Sequence, residues 1–363
     1  KQNINQEDIE AVIDVLKSDF LTQGPKVQEF ENDLQIYCGA KYARVVTNAT
    51  SALHLAYLAV GLKKNDIVWT SPNTFVSTAN AALYCGAKVD FVDIDPSTYN
   101  MSVLALKDKL KKAEISGELP DLVVPVHFSG QSCEMKEIWD LSKKYDFKVV
   151  EDASHALGGE YMGRKVGNCE YSHMCVFSFH PVKIITTGEG GAITTNDENL
   201  DESISILRTH GITKDKTKFD EESHGAWYYE QQVLGFNYRM TDLQAALGIS
   251  QLKRLDKFVS KRREIANYYL NNLEQAYLPY QHPDTNSSWH LFVIQVHNRE
   301  KTYRDLINKG IQTQVHYIPV SLQPFHKKQT LPYCEEFYKK CISLPIYYDL
   351  TSKEYKKVVS SFD

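Results

Sequence analysis

A chain of 363 residues with a formal net charge of −5, 42% apolar and 24% charged residues has the composition of a soluble globular protein, which excludes wholesale disorder and collagen-like sequence. At roughly 150 residues per domain the length predicts about two domains, large enough to need no disulfides. The acidic balance gives no electrostatic footprint for nucleic acid, and no apolar run approaches the ~20 residues that cross a bilayer.

The pattern opens with two helices. Asn5 is a candidate N-cap, and Ile9, Val12, Ile13 and Leu16 share a helical face that is expected to point inward. A second helix runs from about Lys26 with Val27, Phe30, Leu34 and Tyr37 inward, and Gly39 is placed for a left-handed stop. Strands and helices then alternate: strands at 42–47, 67–70, 88–92, 122–126 and 147–151, and helices at 51–60, up to 84, at 102–112 and at 134–145. Helices between short β-branched strands predict parallel pairing with right-handed crossovers, an α/β core. After about residue 240 the pattern changes. Thr241 can cap a helix carrying Leu243, Ala246, Leu247, Leu252 and Leu255. A long charged helix follows at 257–273, then strands at 290–296 and 312–317 around a helix at 301–308. The expected division is 1–240, N-terminal helices and a large α/β domain, and 241–363, connecting helices and a small α+β domain.

The seven cysteines (Cys38, Cys85, Cys133, Cys169, Cys175, Cys334, Cys341) form no C-x-x-C pair. A zinc ribbon, a thioredoxin-like site and a secreted disulfide framework are therefore not expected, nor is a metal site. Lys1-Gln2-Asn3-Ile4-Asn5 does not read as a signal peptide. Buried thiols in a reducing cytoplasm are the simplest reading.

Open α/β sheets bind ligands at the carboxyl ends of their strands, so the residues that follow each strand are the candidates. Asn48-Ala49-Thr50-Ser51 opens a helix, whose N-terminus suits an anion such as phosphate; plain N-capping is the competing reading. Phe75 follows the second strand and could lie on a flat ring, although most Phe are core. Glu151-Asp152-Ala153-Ser154-His155 puts two carboxylates after an apolar strand, where burial would demand partners. A cationic heterocycle is one such partner; a salt bridge or a solvated strand end is another. The stretch Phe177-Ser178-Phe179-His180-Pro181-Val182-Lys183-Ile184-Ile185-Thr186-Thr187-Gly188-Glu189-Gly190-Gly191 is the most informative. A lysine among apolar neighbours has a lowered pKa and can form a Schiff base with an aldehyde, whereas most lysines are solvated. Gly188, Gly190 and Gly191 allow close backbone approach. No G-x-G-x-x-G and no G-x-x-x-x-G-K-[ST] occurs, so dinucleotide and P-loop readings lack their fingerprints.

Together, Leu21-Thr22-Gln23-Gly24-Pro25, the segment 48–53, Thr74-Phe75-Val76, the segments 151–158 and 178–191, and Gly235-Phe236-Asn237-Tyr238-Arg239-Met240-Thr241-Asp242 resemble the pyridoxal-phosphate aminotransferases of fold type I. Within them the chain resembles the sugar-nucleotide aminotransferases, over nearly its whole length. The resemblance implies a mainly parallel seven-stranded sheet flanked by helices, a smaller C-terminal α+β domain, and pyridoxal 5′-phosphate as cofactor. By resemblance, Lys183 matches the lysine that carries the cofactor and shuttles the proton, and Asp152 the carboxylate on the ring nitrogen. Phe75 matches the aromatic stacked on the ring and His155 the residue close to it. Thr50, Ser51 and Ser178 match the phosphate cradle. Asn237 matches a phosphate contact from a partner subunit, which implies a homodimer with shared active sites.

Segments 126–133, 151–158, 177–183 and 227–230 resemble most the branch that serves pseudaminic acid biosynthesis. That implies transfer of the amino group of L-glutamate to C4 of a UDP-4-keto-6-deoxy-N-acetylhexosamine, with Thr22, His316 and Tyr317 near the sugar nucleotide. Rivals are the perosamine and 4-amino-arabinose types. A pyridoxamine-dependent dehydratase would have histidine at Lys183, and a non-catalytic relative would be expected to lose Lys183 or Asp152. The family usually has a substrate-contacting Tyr ahead of Lys1, so one wall of the site is expected to lie outside this sequence, and a continuation after Asp363 is expected as well.

Overall fold

Short β-branched runs become the strands of one seven-stranded sheet in the computed structural model of the protein, which describes residues 2–273 and 278–362. Lys1 and Asp363, the ends of the expected domain ranges, lie outside the described residues. The strands are β1 (Tyr42–Val46), β2 (Ile67–Thr70), β3 (Lys88–Phe91), β4 (Leu122–Val124), β5 (Lys148–Asp152), β6 (Met174–Ser178) and β7 (Gly191–Thr195). Their order is β1-β7-β6-β5-β4-β2-β3. Pairs β2–β3, β2–β4, β4–β5 and β5–β6 are parallel, while β7 is antiparallel to both β6 and β1.

The sequence reading missed β6 and β7. They are joined by a segment without a crossover helix, and a return of that kind must pair antiparallel.

Helices cover both faces, which is why the strands read as apolar runs rather than alternations. On β5, Val149 packs with Leu106 of α5 (Val103–Ser116) and Ile138 of α6 (Met135–Tyr145). Its neighbour Val150 packs on the opposite face with Leu53 and Ala56 of α3 (Ala49–Ala59). Helices α4 (Ser77–Tyr84) and α7 (Glu198–Leu207) flank α3.

Beyond them, α8 (Asp242–Leu252) starts at a Thr241 capping box. With Leu255, Phe258 and Val259 at the start of α9 (Leu255–Asn272), it shares an apolar cluster with the large sheet. From Ile265 onward α9 joins a separate cluster with β8 (Phe292–Gln295), β9 (Cys341–Leu344) and the C-terminal helix Ser352–Val359. The expected strand at 312–317 is not one: a single bridge, Gln314 to Ser343, is its only ladder contact, and the antiparallel partner of β8 is β9. All seven cysteines are free thiols, six of them buried. Among the described residues no helix is long and apolar enough to cross a membrane.

The first helix corrects the reading of its inward face. In α1 (Gln6–Leu16), Asn5 and Asp8 form a capping box, and Asp8 is fully buried. Its carboxylate accepts from Ser250 Oγ (2.6 Å) and Gln251 Nε2 (2.7 Å) and pairs with Arg254. Once Asp8 must point inward, the 3.6-residue period turns Ile9, Ile13 and Leu16 to solvent, and Val15 takes the apolar contact. Helix α2 (Pro25–Cys38) behaves as expected: Phe30 and Leu34 are buried and Gly39 ends it with φ 73°. Removing one member of a buried pair strands the other. Asp8→Ala is therefore expected to lower stability by about 3 kcal/mol in urea unfolding.

Candidate active site

The carboxyl ends of β1, β5 and β6 open into a cavity of about 600 Å³. Nine of the eleven residues expected at the site line it: Thr50, Ser51, Phe75, Asp152, His155, Ser178, Lys183, His316 and Tyr317. Thr22 and Asn237 do not. Both are exposed, Thr22 bridging to Thr241 and Asn237 to Thr209.

The first wall is the start of α3. Asn48 caps it, accepting from Ser51 N–H at 2.8 Å. The capping reading therefore holds, and the other N–H groups of the first turn have no intrahelical partner, which leaves them open to an anion. The turn sits hard against β7. A Cβ on Gly191 would lie 2.6 Å from the carbonyl carbon of Asn48, and one on Gly190 would collide with Thr187 Oγ1. Gly188 differs, with a φ of +83° in open space, so there glycine supplies backbone freedom instead.

The second wall is the end of β5, where alternation sends the two carboxylates to opposite sides. Glu151 turns away to His127 Nε2 at 2.6 Å and accepts from Ser172 Oγ at 2.5 Å. His127 Nδ1 accepts from the Cys133 N–H, so its proton sits on Nε2 and is given to Glu151. Glu151 is thus answered inside the fold by hydrogen bonds from His127 and Ser172 and does not face the cavity. Asp152 faces the cavity, with Oδ1 accepting from Ser154 and Oδ2 from Thr78.

The third wall carries Lys183 in the turn that follows β6, its N–H bonded to His180 C=O. Desolvation pulls its ammonium down to about 8, opposed by Asp152. Burial, then Lys183, then His316 hold His155 well below the usual imidazole range. Burial and Lys183 bring His316 to about 4, and His290 is likewise pushed far down. Three imidazoles held neutral by burial therefore stand beside one amine brought down to about 8. His155 Nε2 lies 3.0 Å from the Tyr317 hydroxyl, and its ring centroid 4.5 Å from that of His290. Phe75 is 59% exposed, its ring 6.2 Å from Tyr317, so an aromatic face is bare to the cavity.

Thr78 and His290 were not legible as site residues. Thr78 lies inside a small-residue helix, and His290 reads as the start of a strand. Among the described residues no group of three or more His, Cys, Asp or Glu is placed to hold a metal ion.

Pyridoxal phosphate fits these walls. The helix terminus with Ser51 and Ser178 suits its phosphate, and the bare Phe75 face suits a flat ring. His155 Nδ1 is buried without a partner, Asp152 faces inward, and Lys183 supplies the amine. An amine held down to about 8, an inward carboxylate and an open helix terminus in one cavity are the parts a pyridoxal-phosphate-dependent aminotransferase uses.

Known proteins narrow the class. The chain belongs to the DegT/DnrJ/EryC1/StrS aminotransferase family, matched over residues 2–363. It is 42% identical to the UDP-4-amino-4,6-dideoxy-N-acetyl-beta-L-altrosamine transaminase of Campylobacter jejuni, across 98% of this chain and 94% of that one. It is 32% identical to the UDP-4-amino-4-deoxy-L-arabinose--oxoglutarate aminotransferase of Shewanella sediminis, across 99% and 95%. Among solved structures, Helicobacter pylori PseC, an aminotransferase involved in the biosynthesis of pseudoaminic acid, is similar with a TM-score of 0.91. That protein is 32% identical and is matched over 96% of its length and 100% of this chain.

The depressed Lys183 gives a pH signature. Only the neutral amine is nucleophilic, and a folded-state value of about 8 places its appearance below the ordinary lysine range. Labelling of Lys183 in the cofactor-free chain by an amine-specific reagent, read by peptide mass mapping, is expected to be half-maximal near pH 8. A rate still climbing steeply through pH 10 would contradict the desolvated site.

Proposed function

We propose that the chain transfers the amino group of L-glutamate to C4 of UDP-2-acetamido-2,6-dideoxy-β-L-arabino-hex-4-ulose, giving UDP-4-amino-4,6-dideoxy-N-acetyl-β-L-altrosamine. The observation that carries this reading is the 42% identity, over 98% of the chain, to a relative named for that product. A nucleotide sugar and glutamate as substrates fit a cytoplasmic enzyme of the pseudaminic acid pathway.

When bound, pyridoxal phosphate supplies the electron sink that lets an amino group pass between donor and keto sugar. Lys183 holds the cofactor and takes and returns the proton at the reacting carbon; a value near 8 suits an amine that must do both near neutral pH. Asp152 keeps the ring nitrogen protonated. A unit pair at ~4 Å and an effective dielectric of about 20 is worth ~4 kcal/mol. Phe75 covers one face of the ring and His155 stands close to it. Thr50, Ser51 and Ser178 bind the phosphate. In the homodimer that this reading requires, the exposed Asn237 reaches the phosphate in the partner's cavity. Thr22, His316 and Tyr317 meet the sugar nucleotide. Residues 1–240 serve as the cofactor domain and 241–363 as connecting helices and small domain.

A second reading has the relative from Shewanella behind it: amination of a UDP-4-keto pentose. Supplying UDP- and dTDP-linked 4-keto sugars with glutamate, and identifying the product by NMR, separates the two. The β-L-arabino-hexulose is expected to give the highest kcat/KM and an L-altro amine. A faster pentose would favour the second reading, and no amination of any sugar would defeat both. Lys183→Ala is expected to lose transfer by on the order of 10³-fold.

A further inference from the structure

Asp152 is held more tightly than one salt-bridging carboxylate requires. A carboxylate offers about four lone-pair sites. On Oδ1 the Ser154 N–H donates at 3.1 Å and the Ser154 hydroxyl at 2.6 Å. On Oδ2 the Thr78 hydroxyl donates at 2.6 Å. Three sites are filled, and the fourth belongs to the oxygen that Thr78 grips.

Thr78 is fully buried in the first turn of α4. Its hydroxyl also lies 2.9 Å from Thr74 Oγ1. A threonine hydroxyl has one proton to give. A bond of 2.6 Å to a carboxylate takes that proton, so Thr74 must be the donor to Thr78. The chain of donation therefore runs from Thr74 through Thr78 to Asp152. A helical threonine commonly bonds back to its own helix, and Thr78 Oγ1 does lie 3.4 Å from Phe75 C=O. That contact is at the limit of bonding range, and the carboxylate contact is far shorter. The backbone is fixed too, because the Tyr57 hydroxyl of α3 donates to Thr78 C=O at 3.1 Å. Helices α3 and α4 thus lock the residue that holds Oδ2.

We propose that Thr78 is a positioning residue for the cofactor: its hydroxyl, held by Thr74, orients Asp152 so that the one open lone pair on Oδ2 meets the ring nitrogen. The inference rests on the proposed function, since it takes Asp152 as the partner of that nitrogen. Ser154 saturates Oδ1 and so denies the ligand that oxygen. With Thr78 gone, Oδ2 has a second open site and the carboxylate no longer presents a single bond direction.

The test is cofactor binding. The cofactor-free chain is titrated with pyridoxal phosphate by absorbance, and the induced circular dichroism per bound cofactor is recorded. Thr78→Val keeps the shape and loses the hydroxyl. It is expected to bind about tenfold more weakly, the order of one hydrogen bond to a charged group, with a smaller induced signal. Thr78→Ser keeps the hydroxyl and is expected to restore both. Should the valine variant not fold, Thr78→Ala is read in the same way. A valine or alanine variant that binds as wild type does, or a serine variant as weak as either, overturns the inference alone. A wild-type chain that binds no pyridoxal phosphate overturns the proposed function and this inference with it.

Discussion

A carboxylate buried at the end of a strand has to be answered from every side, and the arrangement around Asp152 follows from that demand. Unpaired, it would cost several kcal/mol or simply take up a proton. Its first answers come from neighbours: Ser154 two residues on and Thr78 across the sheet on α4. Its remaining face opens on a cavity shared with Lys183, whose amine is itself starved of water. Carboxylate and amine are each uncomfortable alone, and the cavity suits a ligand that satisfies both. The fold was made to suit this, since the ends of parallel strands are where loops splay and a crevice forms.

The antiparallel strand β7 sets the remaining dimension. Its first residue, Gly191, lets the start of α3 approach at backbone distance, while Gly190 closes on the Thr187 side chain of the turn that carries Lys183. The helix terminus and the lysine turn thus meet at one corner, at the start of β7. Around that corner, His155, His290 and His316 are kept neutral by burial and by Lys183. Neutral imidazoles leave the cavity's acid–base behaviour near pH 8 to the amine.

Much of the fold could be read from residue pattern. The alternation from β1 to β5 was visible because both sheet faces are covered, which makes each strand a short apolar run bounded by turn residues. Strands β6 and β7 escaped because no helix separates them, so the strand–helix alternation that marks the earlier strands stops there. The strand 341–344 escaped for a related reason: it pairs with β8 across some fifty residues, and nothing local marks the partner. The inward face of α1 follows from the reach of Asp8 to Arg254, which the apolar spacing of Ile9, Ile13 and Leu16 does not reveal.

At the site, residues at strand ends and in the segment 177–191 were found, since chemistry there concentrates in short motifs. Thr78 and His290 meet Asp152 and His155 only through the fold, so no spacing marks them. Thr22 and Asn237 stand on the surface of a single chain, outside the cavity, and the reading of Asn237 rests on a second copy.

The central claim is that Lys183, Asp152 and the α3 terminus together make a pyridoxal-phosphate site that glutamate can discharge. The most direct measurement is the visible absorbance of the purified protein supplied with pyridoxal phosphate, before and after glutamate. The account predicts a bound, coloured cofactor whose visible band bleaches on adding glutamate and returns on adding 2-oxoglutarate. A protein that stays colourless with the cofactor, or a band indifferent to glutamate, would contradict it.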